Sequence, residues 1–245
     1  MCRKKALCLT ESLLHDRDCC LHHEAAVGGE DLTGDELLLV WNLETGKYDT
    51  APIVFVDTDK VCDAPPSSFP AKVTLLLKRR FDLGLDGFVF LPCELIDRNG
   101  DNLKKTILQY ADLWNLGEDF TNWIEKENVF CNTLVDRINT GYPKGENIDL
   151  GYEDDMVNTS EFFHLWVIEA PQAVAEEFPA DKAGLNVLFV PSEEPYHERK
   201  VTLLNGPHTV LSPVGYLSGL DTVKECVEDP QVGQFVRKVM YGELM

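Results

Sequence analysis

Between residues 53 and 190 short apolar runs alternate with amphipathic stretches, and after about residue 195 the apolar runs stop. That order constrains the fold more than any other feature of the chain. Ile53-Val54-Phe55-Val56, Gly87-Phe88-Val89-Phe90-Leu91, Phe130 to Ile138, Phe162 to Ile168 and Asn186-Val187-Leu188-Phe189-Val190 read as short buried strands. Ala64-Pro65-Pro66-Ser67-Ser68-Phe69-Pro70 is a turn and helix-start signal, and the spacing predicts a helix from Ala71 to Phe81. Leu103, Ile107, Tyr110, Ala111 and Trp114 recur at helical spacing, predicting an amphipathic helix over 101–115, and Phe120, Trp123 and Ile124 mark a shorter one. Apolar strands alternating with helices imply an α/β sheet covered on both faces. Residues 196–212, 221–228 and 230–242 read as helices, the last capped by Asp229 with Pro230 in its first position. The expected fold class is α/β, then all-α, with the α/β domain over 51–195 and the helical part over 196–245.

Residues 1–50 read differently and form an atypical segment, foreign in composition to the rest. Cysteine, histidine and acidic residues crowd together there, and the clear element is a strand, Glu36 to Trp41, before a turn at Glu44-Thr45-Gly46-Lys47. Such a phrase suits one strand of a propeller blade, but a propeller repeats it every ~40–45 residues and this chain does not. The opening Met1 to Leu9 is basic and then apolar, like an export signal, yet Glu11, His15 and Asp16 interrupt it at once.

Charge narrows the partners. With 42 acidic against 22 basic side chains the formal charge is −20, a field that repels nucleic acid and anionic membrane surfaces. No apolar stretch approaches the ~20 residues of a membrane-spanning helix. A soluble, cytoplasmic chain is the expectation, with reduced thiols. Four of its eight cysteines fall in the first 20 residues; Cys62, Cys93, Cys131 and Cys226 are scattered among apolar neighbours and read as small buried hydrophobes. His15, Cys19, Cys20, His22 and His23 invite a zinc reading, but their adjacent pairs lack the gaps of structural sites, so no metal is expected. Neither Gly-x-Gly-x-x-Gly nor Gly-x-x-x-x-Gly-Lys-Ser/Thr occurs, and acidic residues follow Gly28-Gly29.

The richest chemistry lies in Glu198 to His208. On a continuous helix Lys200, Asn205 and His208 fall at about 0°, 140° and 80°, sharing one side. A lysine, an amide and a histidine so grouped suit carbonyl chemistry. The lysine exchanges a proton with the substrate oxygen if desolvation lowers its pKa, and the amide holds the developing oxyanion. A solvated polar face with a capping histidine is the commoner outcome of such spacing. Gly206-Pro207 disturbs the helix, because Pro207 removes an amide donor and clashes one turn back. Asn132, at the start of an apolar strand, faces a ligand crevice or caps a turn. Asp136 and Arg137 read as a structural ion pair.

Four blocks in order, Asp63 to Lys72, Leu91-Pro92-Cys93-Glu94-Leu95-Ile96-Asp97-Arg98-Asn99-Gly100-Asp101, Phe130 to Ile138 and Glu198 to His208, resemble the tagaturonate reductase (altronate oxidoreductase) branch of the long-chain mannitol dehydrogenase family. Pro-Cys-Glu-Leu-Ile-Asp is the mark of the uronate-reducing branch; Lys-x4-Asn-x2-His marks the whole family. The resemblance runs from about residue 53 to 245. It implies a Rossmann-type domain followed by a helical domain like that of 6-phosphogluconate dehydrogenase, and NAD-dependent, metal-independent hydride transfer between a ketone and a secondary alcohol. D-tagaturonate and D-altronate are the sugar acids it implies. Carried over, Lys200 is the general acid/base, Asn205 and Asn132 polarise the substrate carbonyl, and His208 binds and orients a substrate hydroxyl. The family's opening Gly-x-Gly-x-Phe-x-Arg loop has no match in residues 1–50, so no cofactor-binding residue is assigned. A partial Rossmann-type domain, incomplete at its start, and a truncated helical domain are expected. A fructuronate reductase, a mannitol 2-dehydrogenase-like polyol dehydrogenase and an inactive truncated homologue are the alternatives.

Overall fold

The computed structural model describes the backbone of Ala6–Cys8, Leu21–His22, Leu37–Asn42 and residues 47–245 except 64, 142, 144–147, 153 and 155, and side chains from residue 53 apart from those positions and 140. Internal packing divides the chain into two units, Met1–Pro191 and Ser192–Met245.

The first unit is α/β. Strands β1 (Ala6–Cys8), β5 (Val89–Leu91) and β6 (Val129–Phe130) form a parallel sheet with β5 in the middle. An antiparallel meander joins β2 (Leu21–His22), β3 (Leu37–Asn42) and β4 (Lys47–Pro52). A third sheet pairs β7 (Asn132–Asp136) antiparallel to β10 (Leu165–Glu169), which runs parallel to β11 (Val187–Val190). A short hairpin joins β8 (Asn139–Gly141) to β9 (Thr159–Ser160). Helices α1 (Phe69–Asp82), α2 (Asn99–Leu113) and α3 (Glu118–Glu127) surround the central strand, and α4 (Gln172–Glu177) follows β10.

The two-residue period of β5 decides the core. Phe88 and Phe90 turn to a cluster with Val73 and Leu77 of α1, Ile107 and Ala111 of α2, and Phe120 and Ile124 of α3. Val89 and Leu91 turn the other way, onto Cys131, Ile168, Val174 and Val187. The central strand is therefore buried on both faces, as its unbroken apolar run predicts. The predicted helices form where spacing and caps place them. Ser68 accepts from the Ala71 amide at 3.3 Å, Pro70 sits in the first turn of α1, and Arg79 and Arg80 lie in its last.

Three strands differ from expectation, one of them only in extent: Phe162 and Phe163 are exposed and precede β10, which begins at Leu165. Ile53–Val56 is irregular backbone, because a side chain rather than a neighbouring strand satisfies it. The Val56 amide donates to the Tyr110 hydroxyl at 2.8 Å, and the Phe55 ring lies 4.8 Å from that of Tyr110. The same hydroxyl meets Ser68 Oγ at 2.7 Å and Asp59 Oδ2 at 3.2 Å. Asp59, 4% exposed, also accepts from the Ser67 amide and hydroxyl and the Ser68 amide at 2.6 to 3.0 Å. Tyr110→Phe keeps the ring and removes the partner of the half-buried Val56 amide and of the buried Asp59 and Ser68 side chains, so it should cost roughly 1–3 kcal/mol in urea unfolding. An unchanged midpoint would mean that the phenol does not hold this segment. Phe130 to Ile138, read as one strand, is two: β6 and β7 belong to different sheets and part at Cys131, whose amide still donates to the Phe90 carbonyl.

Burial alone pushes the Asp59 carboxyl up, but the hydrogen bonds from Ser67 and Ser68 outweigh it and hold it below the ordinary aspartate value. Its contribution is therefore complete above the unfolded-state value and is lost as pH falls through the folded one. Unfolding midpoints should drop on acidification below about pH 4, and Asp59→Asn should flatten that drop.

The second unit is helical: α5 (Glu194–Lys200), a wide π-wound turn (Val201–Asn205), α6 (Gly206–Leu217), α7 (Val223–Glu228) and α8 (Pro230–Val239). Leu211, Cys226, Val232 and Val236 make its core. Asp229 caps α8 as the sequence predicts, accepting from the Gln231 and Val232 amides at 2.9 and 2.8 Å. The helix expected over 196–212 runs in unbroken helical backbone from Glu194 to Leu217, its winding widened at Val201–Asn205. Pro207 has no amide to close a regular turn, and the Gly206 amide reaches back five residues to the Val201 carbonyl. No described helix is long and apolar enough to cross a membrane.

Candidate active site

In open parallel sheets ligands bind beyond the carboxyl ends of the strands. There Pro92 stops β5 and the chain turns through Cys93–Asp97 into α2. Two buried asparagines, each 3% exposed, stitch this turn to the third sheet. Asn99 Nδ2 donates to the carbonyls of Pro92 and Glu94 at 3.1 Å and of Thr133 at 3.0 Å, while its Oδ1 accepts from the Thr133 amide at 2.9 Å. Thr133 Oγ1 closes on the Pro92 carbonyl. Asn132 Oδ1 accepts from the Asp101 amide at 3.0 Å, and its Nδ2 donates to Asp101 Oδ2 and Glu169 Oε1, both at 3.2 Å. Both ends of the Asn132 amide are thus engaged inside this unit.

Between the two asparagine clamps lies Arg98, in left-handed backbone at φ 48°, an uncommon conformation for a residue with a side chain. Its Nε donates to Asp101 at 2.7 Å and its Nη2 to Glu169 at 3.3 Å. The hydrogen bond donated to Asp101 leads, with the charges of Asp101 and Glu169 behind it, in raising the guanidinium pKa. Gly100 follows, its Cα pressed so closely on the strand that an added Cβ would overlap the Cys131 carbonyl. Outside this turn opens a crevice of about 350 Å3, walled by Ile53–Phe55, Glu94–Ile96 and the face of α2 that carries Asn102, Lys105 and Gln109. Its lining mixes apolar side chains with amides and one ammonium, which suits a polar organic ligand.

In the second unit Lys200 ends α5, the π-wound turn follows, Asn205 ends that turn and His208 lies in the first turn of α6. His208 Nδ1 sits 2.7 Å from the Leu204 carbonyl. A carbonyl only accepts, so Nδ1 carries the proton, and in the neutral ring Nε2 is left to accept from a hydroxyl. The Asn205 side chain is exposed and has no hydrogen-bond partner among the described residues. Leu211 is buried, while Val201 and Leu204 on the wide turn are 43% and 36% exposed. Asn132 lies in the first unit and the Lys200, Asn205 and His208 set in the second; each set is described within its own unit.

The remaining candidates divide plainly. Arg137 Nε donates to the Glu161 carbonyl at 3.2 Å. Cys131 and Cys226 are buried and Cys93 half-buried, but Cys62 is exposed, against the buried reading. Burial, helped by the Glu169 charge, pushes the Cys131 thiol up to about 12, so it is protonated at neutral pH and no nucleophile. Among the described residues no group of three or more His, Cys, Asp or Glu converges to hold a metal, and the side chains of His15, Cys19, Cys20, His22 and His23 lie outside them. The sequence reading missed Asn99, Glu169 and Lys105. For Lys105 a signal existed: Asn102, Lys105, Thr106 and Gln109 fall at i, i+3, i+4 and i+7, a polar stripe along one helix face.

Comparison with known proteins places these features. The family model of the mannitol dehydrogenase Rossmann domain matches residues 44–182, and that of the mannitol dehydrogenase C-terminal domain matches residues 193–245. The altronate oxidoreductase of Phocaeicola vulgatus is 58% identical over 203 residues, and that of Bacteroides thetaiotaomicron 56%. Each alignment covers 80% of this chain and 42% of the relative, so the chain spans about two fifths of the length of the curated relatives it matches. Pseudomonas fluorescens mannitol 2-dehydrogenase, solved as a ternary complex with NAD and D-mannitol, is 27% identical with a TM-score of 0.58, over 73% of this chain and 36% of that one. A substrate-free D-sorbitol dehydrogenase, 24% identical with a TM-score of 0.58, shares the fold over 83% of this chain and 42% of its own.

Proposed function

The chain belongs to the mannitol dehydrogenase family, and on that premise we propose that it serves NAD-dependent interconversion of D-tagaturonate and D-altronate. The likeness to altronate oxidoreductases supports the sugar-acid substrate over a neutral polyol: it reaches 58% identity, against 27% for the mannitol dehydrogenase structure. The single observation that carries the chemistry is the Lys200, Asn205 and His208 set around a π-wound turn, a distortion found frequently at functional sites.

Each residue has a distinct part. Lys200 gives a proton to the carbonyl oxygen during reduction and takes it back during oxidation. Asn205, its amide uncommitted, donates to the same oxygen as negative charge develops. His208, with Nδ1–H held by Leu204, accepts from a neighbouring substrate hydroxyl through Nε2 and so orients the carbon skeleton. Asn132 enters as a positioning residue rather than a polarising one, since its amide already bridges Asp101 and Glu169. NAD(H), when bound, supplies or accepts the hydride. The proposed division is a Rossmann-type domain over 51–195 and a helical domain over 196–245.

Titrating the purified chain with NADH, followed by quenching of its four tryptophans, tests the reading first. Saturable binding, then NADH consumption with tagaturonate faster than with fructuronate or fructose, is expected. No binding at millimolar NADH would overturn it in favour of an inactive homologue. A preference for either other ketose would move the substrate.

A further inference from the structure

We propose that Lys105, on the crevice face of α2, binds the carboxylate of the sugar acid and so selects acids over neutral polyols. The inference rests on the sugar-acid reading above. A chain of charge −20 repels an anionic ligand unless a local cation meets it. Three arginines of this unit are committed. Arg98 faces two carboxylates with one charge, leaving its cluster net negative. Arg137 donates to the Glu161 carbonyl, and Arg80 covers the Phe88 ring while donating to the Asp86 carbonyl. Lys105 is the one described cation that lines the crevice, and it has no ion pair or hydrogen bond to another described residue. It is exposed, so its ammonium is reachable without rearrangement.

The rest of the lining suits a polyhydroxy chain. Gln109, one turn on, offers both a donor and an acceptor, and Glu94 across the crevice accepts from hydroxyls. A carboxylate on a sugar acid and a pyrophosphate on a dinucleotide would both answer an ammonium. The crevice volume, about 350 Å3, is at the small end for small-molecule sites and suits a six-carbon acid better than a whole dinucleotide.

Calorimetric titrations of the full chain with altronate, mannitol and NADH, for the wild type, Lys105→Gln and Lys105→Arg, decide it. Lys105→Gln should weaken altronate at least about tenfold, leave mannitol and NADH unchanged, and keep the urea midpoint; Lys105→Arg should recover most of the loss. Equal altronate affinity in Lys105→Gln and the wild type overturns this inference and leaves the sugar-acid reading standing. A loss confined to NADH assigns the lysine to the pyrophosphate and overturns it too. A wild-type chain that binds NADH but ignores altronate removes the sugar-acid reading, and the inference falls with it.

Discussion

Gly100→Ala is expected to cost at least about 3 kcal/mol of the first unit's stability, at the top of the range for overpacking and a large share of a typical 5–15 kcal/mol. The reason is contact, not conformation, since Gly100 does not need positive φ. An alanine Cβ would lie 2.6 Å from the Cys131 carbonyl carbon and 3.1 Å from the Asn132 nitrogen, both backbone atoms. Neither can withdraw without breaking something else. Cys131 donates to the Phe90 carbonyl within the parallel sheet, and Asn132 is tied to Asp101 and Glu169. The helix must back away instead, which pulls Asn99 from the Pro92, Glu94 and Thr133 carbonyls and opens the crevice turn. Urea unfolding followed by tryptophan fluorescence measures the cost. Gly242→Ala, with no atom within 4 Å of the added carbon, is the control and should shift stability by less than about 0.5 kcal/mol. A Gly100→Ala chain as stable as that control would show that α2 is not held against the strand as described.

Lys200→Ala should lower turnover about 10²–10⁴-fold, the usual contribution of a positioned acid or base. Lys200 is half-buried at the end of α5 and is not a member of that unit's apolar core. NADH affinity and the unfolding midpoint should therefore stay close to wild type, which separates a lost proton donor from a damaged fold. Lys200→Arg should be nearly as slow, because a guanidinium keeps the charge but does not give up its proton. Wild-type turnover in either variant would remove Lys200 from the mechanism. Asn205→Ala should fall less, by about 10²–10³-fold, as expected for one oxyanion donor among several.

Local signals were legible wherever the partners lie within a few residues. Ser68 and Asp229 cap helices whose starts they announce, because an N-cap bonds to amides two or three positions on. The face of α2 that buries Ile107, Tyr110 and Ala111 follows from helical spacing, and the double burial of β5 from its unbroken apolar run. Gly206-Pro207 foretold a disturbed helix, and the distortion took the form of a π-wound turn. The Lys200, Asn205 and His208 set was legible as a spacing, but the tautomer of His208 needed the position of the Leu204 carbonyl.

By itself, then, the sequence determined the order α/β then all-α, the helices and their caps, the strands β5, β10 and β11, and the family blocks that carry the proposed chemistry. Tertiary structure decided the rest, because those outcomes depend on partners more than 30 residues away. Ile53–Val56 is no strand because Tyr110, 54 residues on from Val56, satisfies its backbone. Phe130 to Ile138 splits because Val129 and Phe130 pair with β5 while Asn132 onward pairs with β10. Asn132 is a clamp because Asp101 and Glu169, 31 and 37 residues distant, converge on its amide. Periodicity can say which face of a helix is polar. Only the folding of Ile53–Phe55 and Glu94–Ile96 across from α2 turned that polar face into the wall of a crevice, with Lys105 on it.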